Sequence, residues 1–223
     1  MPRSKLPGGI LEAYQAIMRR CDHRRNWNNM TEEELWHELC FCVLSSNVHY
    51  ETAYSALLQL EAKRLIETSG CSAKLITTEL RRPIYLPRRK DGSFRRYRFP
   101  RRRARDIVRA RQYVYQIVGG VKKLLERTDN AFEMRDLLTK NVSGLGLKEA
   151  SHFLRDVRFS DSLAIIDSHV ADYIRMNFRE VQNVDHFTQR TYLELERLIQ
   201  NVATNHNLSL AVLDMAIWEW MRR

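Results

Sequence analysis

The chain has 223 residues and a mass of 26.5 kDa, and 44% of its residues are hydrophobic, enough for one core or for two small lobes sharing a cleft. Eight glycines and five prolines exclude a collagenous or low-complexity chain, and no repeated alternation points to a β-sandwich or barrel. Thirty-seven Lys and Arg against 27 Asp and Glu give a formal charge of +10, which favours a polyanionic partner without identifying it.

The N-terminal MPRSKLPGGI has no apolar run of signal-peptide length, and no stretch reaches the ~18 apolar residues of a membrane span, so an intracellular protein without a membrane partner is expected. Thr31-Glu32-Glu33-Glu34 is a capping box, with Met30 and Leu35 placed as a hydrophobic staple. The helix it starts runs through Leu39, Cys42 and Val43 to the polar Ser45-Ser46-Asn47. Cys40 and Cys42 fall inside its apolar pattern as small buried thiols. The four cysteines (21, 40, 42 and 71) have no zinc or iron–sulfur spacing, and nothing suggests a disulfide framework. A second helix is expected from Tyr50 to Leu60.

The charge is concentrated in one segment. From Arg81 to Arg111, 14 Lys and Arg face only Asp91 and Asp106, a net +12 that leaves −2 for the other 192 residues. Tyr85, Phe94, Tyr97 and Phe99 are interleaved with the bases. A bare basic run is as often a solvated loop, but this mixture suits a phosphate backbone and exposed bases. Asp91-Gly92 is a type I′ turn signal, so roughly 84–99 reads as a short basic β-hairpin or a structured loop, followed from Arg101 by a helical pattern.

Further helices are expected at Ala131–Lys140, Lys148–Val157, Ser168–Phe178, Thr188–Ala203 and Ser209–Met221, making the chain all-α. In the last, Leu210, Leu213, Ile217, Trp220 and Met221 form a core stripe. Between two of these helices lies Val142-Ser143-Gly144-Leu145-Gly146-Leu147, a strong helix-hairpin-helix signature. Gly144 and Gly146 allow positive φ, Leu145 can tuck beneath the turn, and the amides opening the next helix can bind a nucleic-acid phosphate. Lys148 is a cation at a helix N-terminus, where the dipole disfavours it. Either it swings out to phosphate or water, or its surroundings lower its pKa and free the amine as a nucleophile. Nineteen residues on, Asp167 follows Ala164-Ile165-Ile166 and reads as an N-cap, or as a partly buried carboxylate serving a lysine. His169 reads equally as a core histidine or a phosphate donor.

Asn141–Leu154 followed by Ile165-Ile166-Asp167-Ser168-His169 resembles the helix-hairpin-helix (HhH-GPD) DNA glycosylase superfamily, and most of all its compact archaeal-type 8-oxoguanine DNA glycosylase/lyase branch. Glu38–Asn47, Tyr97-Arg98-Phe99 with Arg103-Ala104, and Leu213–Trp218 extend the likeness over about Leu35 to Trp218. The resemblance implies a two-lobed helical fold with a cleft, with about 31–149 forming one lobe and 1–30 with 150–223 the other. It implies Lys148 as the nucleophile and Asp167 as the catalytic aspartate. Gly144, Gly146, His169, Asn47, Arg98 and Arg103 would contact DNA, with Asn47 in the loop that fills the vacated stack or touches the orphan base. His152, Asp214 and Trp218 would line the base pocket. It implies a monomer acting on double-stranded DNA with a damaged base, in the cytoplasm or nucleoid. No cofactor is required; a monovalent cation at the hairpin is a candidate, and no cysteine follows Cys71 to hold an iron–sulfur cluster.

The implied chemistry is a flipped base, attack of Lys148 on C1′, a Schiff base, and β-elimination that nicks the strand. Two departures bear on specificity. The 81–99 segment is unusually arginine-rich, and the chain ends at Arg222-Arg223 where this branch tends to run further to a lysine near the oxidised base. The alternatives are the same scaffold acting on another damaged or mismatched base, and a non-catalytic helix-hairpin-helix module, which would leave the Lys148 and Asp167 pair unexplained.

Overall fold

The computed structural model describes residues 6–20, 26–67, 71–86, 93–178, 181 and 188–222. Eleven α-helices and one two-stranded ribbon are found among them, so the all-α expectation and the small basic hairpin both hold. None of these helices is long and apolar enough to cross a membrane. The chain divides into two compact units, a central one (Trp27–Val157) and a terminal one (Met1–Asn26 with Arg158–Arg223). The division falls at 157/158, after a helix that the sequence-derived boundary at 149/150 would have cut.

The central unit is organised around α2 (Glu32–Ser45), whose residues Leu35, Trp36 and Leu39 to Leu44 are all buried. Its capping box is complete: Thr31 Oγ1 accepts from the Glu34 amide (3.1 Å) and Glu34 Oε2 from the Thr31 amide (2.7 Å). Around it stand α3 (Tyr50–Ala62), α4 (Ala73–Leu80), α5 (Pro100–Arg111), α6 (Val121–Leu125), α7 (Ala131–Asn141) and α8 (Leu147–Asp156). The start of α6 has no local cap, because Gly120 precedes it. The Glu32 carboxylate takes that role from 89 residues away, accepting from the Val121 (2.5 Å) and Lys122 (3.1 Å) amides.

Strands β1 (Ile84–Tyr85) and β2 (Phe94–Arg95) pair antiparallel, Ile84 opposite Arg95 and Tyr85 opposite Phe94. The Leu86 amide extends the pairing to the Ser93 carbonyl (3.1 Å). The Asp91-Gly92 turn itself lies outside the described residues. The exposed rings of Tyr85 and Phe94 meet across the ribbon at 5.4 Å. Helix α5 begins at Pro100, where the missing N–H costs nothing. A π-helical segment, Gln112–Val118, continues it and ends at Gly119, which has φ +94°.

The terminal unit holds α1 (Gly8–Arg20), α9 (Ser168–Asn177), α10 (Gln189–Asn205) and α11 (Leu210–Met221). Helix α11 packs on the other three and is buried on more than its expected stripe: Ala211, Val212, Asp214 and Ala216 are interior alongside Leu210, Leu213 and Ile217. Trp220 and Met221 are only half-buried. Cys40, Cys42 and Cys71 are buried free thiols, and Cys21 lies outside the described residues.

Candidate active site

The glycine turn between α7 and α8 is fixed from below. Gly144 has φ +93°, and a Cβ there would stand 2.9 Å from both Asp106 Cβ and Val43 Cγ1, so position 144 needs glycine for conformation and for space. Leu145 and Val142 are buried, as their place under the turn requires. Beneath them Asp106 accepts from Ser143 Oγ (3.0 Å) and pairs with Arg103 Nη1 (3.1 Å). Arg103 Nη2 in turn donates to the Ser46 carbonyl (2.9 Å). Arg103 was expected to reach DNA. It is instead only 2% exposed, and its guanidinium ties α5, the end of α2 and the hairpin into one block.

Gly146 departs from expectation in another way. Its φ is −95°, an ordinary value, so the tight reversal rests on Gly144 alone. Its amide is not free for an anion, because Glu149 Oε2 accepts it (3.3 Å), and a Cβ at 146 would crowd that oxygen at 3.1 Å. The other Glu149 oxygen lies 3.3 Å from Lys148 Nζ. Lys148 is 30% exposed, so a primary amine stands at the head of α8, reachable from solvent and tethered to a buried carboxylate. One turn on, His152 Nε2 is 3.0 Å from Asp156 Oδ2, and the Phe41 ring stands edge-on to the imidazole at 6.0 Å.

Asn47 comes directly after the Ser46 C-cap of α2 and has φ +56°, a left-handed position that asparagine tolerates well. It is exposed, and with Arg98 it lines a cavity of about 340 Å³ that His49, Glu51, Arg95 and Arg96 also border. Arg98 is exposed, its guanidinium 5.0 Å from the Phe99 ring centre. Tyr97 anchors this stretch by donating to the Leu44 carbonyl (2.6 Å). Asn47 and Arg98, both expected to contact DNA, thus share one basic concavity.

In the terminal unit Asp167 caps α9, its Oδ1 accepting from the Val170 amide (2.9 Å), and its side chain is half-buried. His169, two residues on, is also half-buried. The extended segment leading to Asp167 is latched at three successive residues. Glu196 accepts from the Ala164 amide (3.1 Å). Asp214 accepts from the Ile165 amide (2.5 Å). The Tyr192 hydroxyl donates to the Ala164 carbonyl (2.8 Å) and accepts from the Ile166 amide (3.3 Å). Asp214, assigned to the base pocket by resemblance, is 2% exposed and is engaged with this backbone. Trp218 is half-buried, with the Arg222 guanidinium 4.3 Å from its ring centre. Arg223 lies outside the described residues.

Four supporting residues escaped the sequence reading: Glu149, Asp106, Tyr192 and Glu196. Glu149 had a local signal, since it stands three residues after the N-cap Gly146. The contacts of the other three with Ser143, Ala164 and Ile166 span 26 to 37 residues and leave no local trace.

The family described as 8-oxoguanine DNA glycosylase matches residues 17–208. An 8-oxoguanine DNA glycosylase/AP lyase of Saccharolobus islandicus is 34% identical over 204 residues, covering 91% of this chain and 89% of that protein. The enzyme of the same description from Methanocaldococcus jannaschii is 31% identical over 207 residues, covering 93% and 89%. The crystal structure of the M. jannaschii 8-oxoguanine DNA glycosylase superposes with a TM-score of 0.73 at 28% identity, covering 95% of this chain and 92% of that one. Its complex with a 15mer DNA containing 8-oxoguanine gives 0.69 at the same identity. The chain belongs to the 8-oxoguanine DNA glycosylase family.

Proposed function

We propose that this protein excises 8-oxoguanine from duplex DNA and then nicks the strand as an AP lyase. The observation that carries the reading is the solvent-reachable amine of Lys148 at the head of α8, directly after the glycine turn, in a chain whose relatives are named for this activity. The oxidised base is inaccessible within the duplex and must be flipped out, at a cost of a few kcal/mol. The Lys148 nitrogen then forms a bond to C1′ as the C1′–N9 bond breaks, and the electron pair and a proton go to the departing base. Asp167 stabilises the positive charge that develops on the sugar and accepts the proton lost by the lysine. Breaking of the C1′–O4′ bond opens the deoxyribose ring, with O4′ taking the proton held by Asp167, and leaves a Schiff base. Loss of a C2′ proton then expels the 3′ phosphate with the C3′–O bonding electrons, and water releases Lys148 from the product.

The remaining assignments belong to the same reading. The hairpin amides after Gly146 and His169 hold phosphates, and Asn47 and Arg98 meet the strand opposite the lesion. Trp218 and His152 border the extruded base. A monovalent cation on the backbone carbonyls of 142–146 would screen a phosphate there. The protein acts as a monomer inside the cell, on genomic DNA, and needs no cofactor for the chemistry.

A nicking assay on duplexes carrying a panel of lesions, each opposite every base, tests the function. Preferential cleavage at 8-oxoguanine supports it. Preference for another damaged or mismatched base would move the assignment within the scaffold, and binding without cleavage of any lesion would favour a non-catalytic module.

A further inference from the structure

A thiol, an imidazole and a carboxylate converge where α2 packs on α8. The ligand atoms of Cys42, His152 and Asp156 all lie within 4.8 Å of one another. His152 and Asp156 are one turn apart on α8, with Nε2 and Oδ2 at 3.0 Å. Such a pair is common on helices and accounts for that one distance. It does not account for the third donor. Cys42 comes from the other helix and is fully buried, and no hydrogen bond reaches its sulfur among the described residues.

The surroundings of the thiol are acidic. Burial pushes its pKa well above the ordinary value, and the carboxylates of Asp156, Glu38 and Glu149 push it further, with Lys148 opposing them. His152 and Asp156 are each about a quarter exposed (24% and 23%), so the cluster is open on the side away from the sulfur.

We propose that Cys42, His152 and Asp156 form a three-ligand site for a thiophilic divalent cation of the zinc class, with a fourth position left to water. Zinc binds sulfur at ~2.3 Å and imidazole or carboxylate at ~2.0–2.2 Å, which sets ligand-to-ligand distances of roughly 3.3–3.7 Å in a tetrahedron. The imidazole and carboxylate stand near that spacing at 3.0 Å, and the sulfur, within 4.8 Å of both, has at most about an ångström to close. On binding, the Cys42 S–H bond breaks, its proton goes to buffer, and the thiolate pair is donated to the metal; nothing is oxidised or reduced. A sulfur donor excludes magnesium and calcium as the natural occupants. His152 is the residue assigned above to the border of the extruded base, so the site adjoins the excision chemistry, but its test reads metal binding and does not depend on that reading.

The experiment is a cobalt titration of the full chain, freed of metal by a chelator and kept reduced without thiols. The expected result is a thiolate-to-cobalt charge-transfer absorption that saturates at one equivalent and is displaced by zinc. Cys42→Ala abolishes it, and a chain with both Cys21→Ser and Cys71→Ser retains it. Asp156→Asn, which keeps the shape of a side chain only a quarter exposed, weakens cobalt binding at least about tenfold. No charge-transfer absorption in the folded protein would overturn the proposal, as would its persistence in Cys42→Ala. If Cys42→Ala does not fold, Asp156→Asn decides, and wild-type affinity in that variant overturns the site.

Discussion

Glu149 holds Lys148 and Gly146 at once: one carboxylate oxygen is 3.3 Å from the Lys148 ammonium, and the other accepts the Gly146 amide at 3.3 Å. The carboxylate is buried, so it joins the glycine turn to the amine with little competition from water. Glu149→Ala removes both links and is expected to cost ~1–2 kcal/mol, the range of a lost helix cap in a part-buried setting. Glu149→Gln keeps a side-chain acceptor for the amide and is expected to lose less than half of that. Chemical denaturation of the two variants checks the order, and equal losses would mean that the charge carries the contribution.

Tyr192 closes the segment before Asp167, because its hydroxyl is donor to Ala164 and acceptor from Ile166. Tyr192→Phe leaves two buried backbone groups without that partner, a cost of ~1–3 kcal/mol. Hydrogen exchange at 164–167 is expected to quicken while α7 and α8 keep their protection. Unchanged exchange at 164–167 would show that Glu196 and Asp214 suffice to hold the segment.

The basic segment should make DNA binding strongly dependent on salt. With about six phosphates neutralised, affinity falls by ~10³ between about 50 and 200 mM salt. Arg95, Arg96 and Arg98 are exposed around the cavity beside Asn47. Replacing all three with Gln is expected to reduce the log–log slope by about 2 to 3. Replacing Arg103 alone is expected to act differently, through stability, since that side chain is interior. A slope unmoved by the triple change would place the DNA path elsewhere.

Alkaline pH should destabilise the fold. Burial pushes Tyr173 up to about 12 and raises Tyr97 and Tyr115 as well, from an ordinary value near ~10. Each phenol therefore holds its proton more tightly folded than unfolded. The stability this contributes is fully present below about pH 10 and is lost as pH rises through the folded values, by about pH 12 for Tyr173. Denaturation midpoints between pH 8 and 11 check the slope, which Tyr173→Phe should flatten.

Much of the fold was legible because its signals are local. The Thr31–Glu34 box, the Asn-containing end of α2, the α7–turn–α8 motif and the Asp167 cap are each contained within a few residues. What was missed lacks such signals. Helix α6 takes its cap from Glu32, α1 opens on two glycines, and α4 has only eight residues. Arg103 was assigned to DNA by resemblance, and its charge alone gave no reason to place it inside. Its position on α5 shares a face with the buried Ala104, Ile107, Ala110 and Arg111, and that periodicity, not its charge, decides where it points. Gly146 was misread for a related reason: the motif supplies two glycines, and only the backbone tells which one bears the positive φ.

The most direct test of the central claim is borohydride trapping on an 8-oxoguanine duplex, comparing the wild-type chain with Lys148→Gln and Asp167→Asn. The account predicts a covalent protein–DNA adduct in the wild type, none in Lys148→Gln, and slow formation with near-normal DNA binding in Asp167→Asn. An adduct of undiminished yield in Lys148→Gln would contradict it, because the amine that attacks C1′ would then belong to another residue.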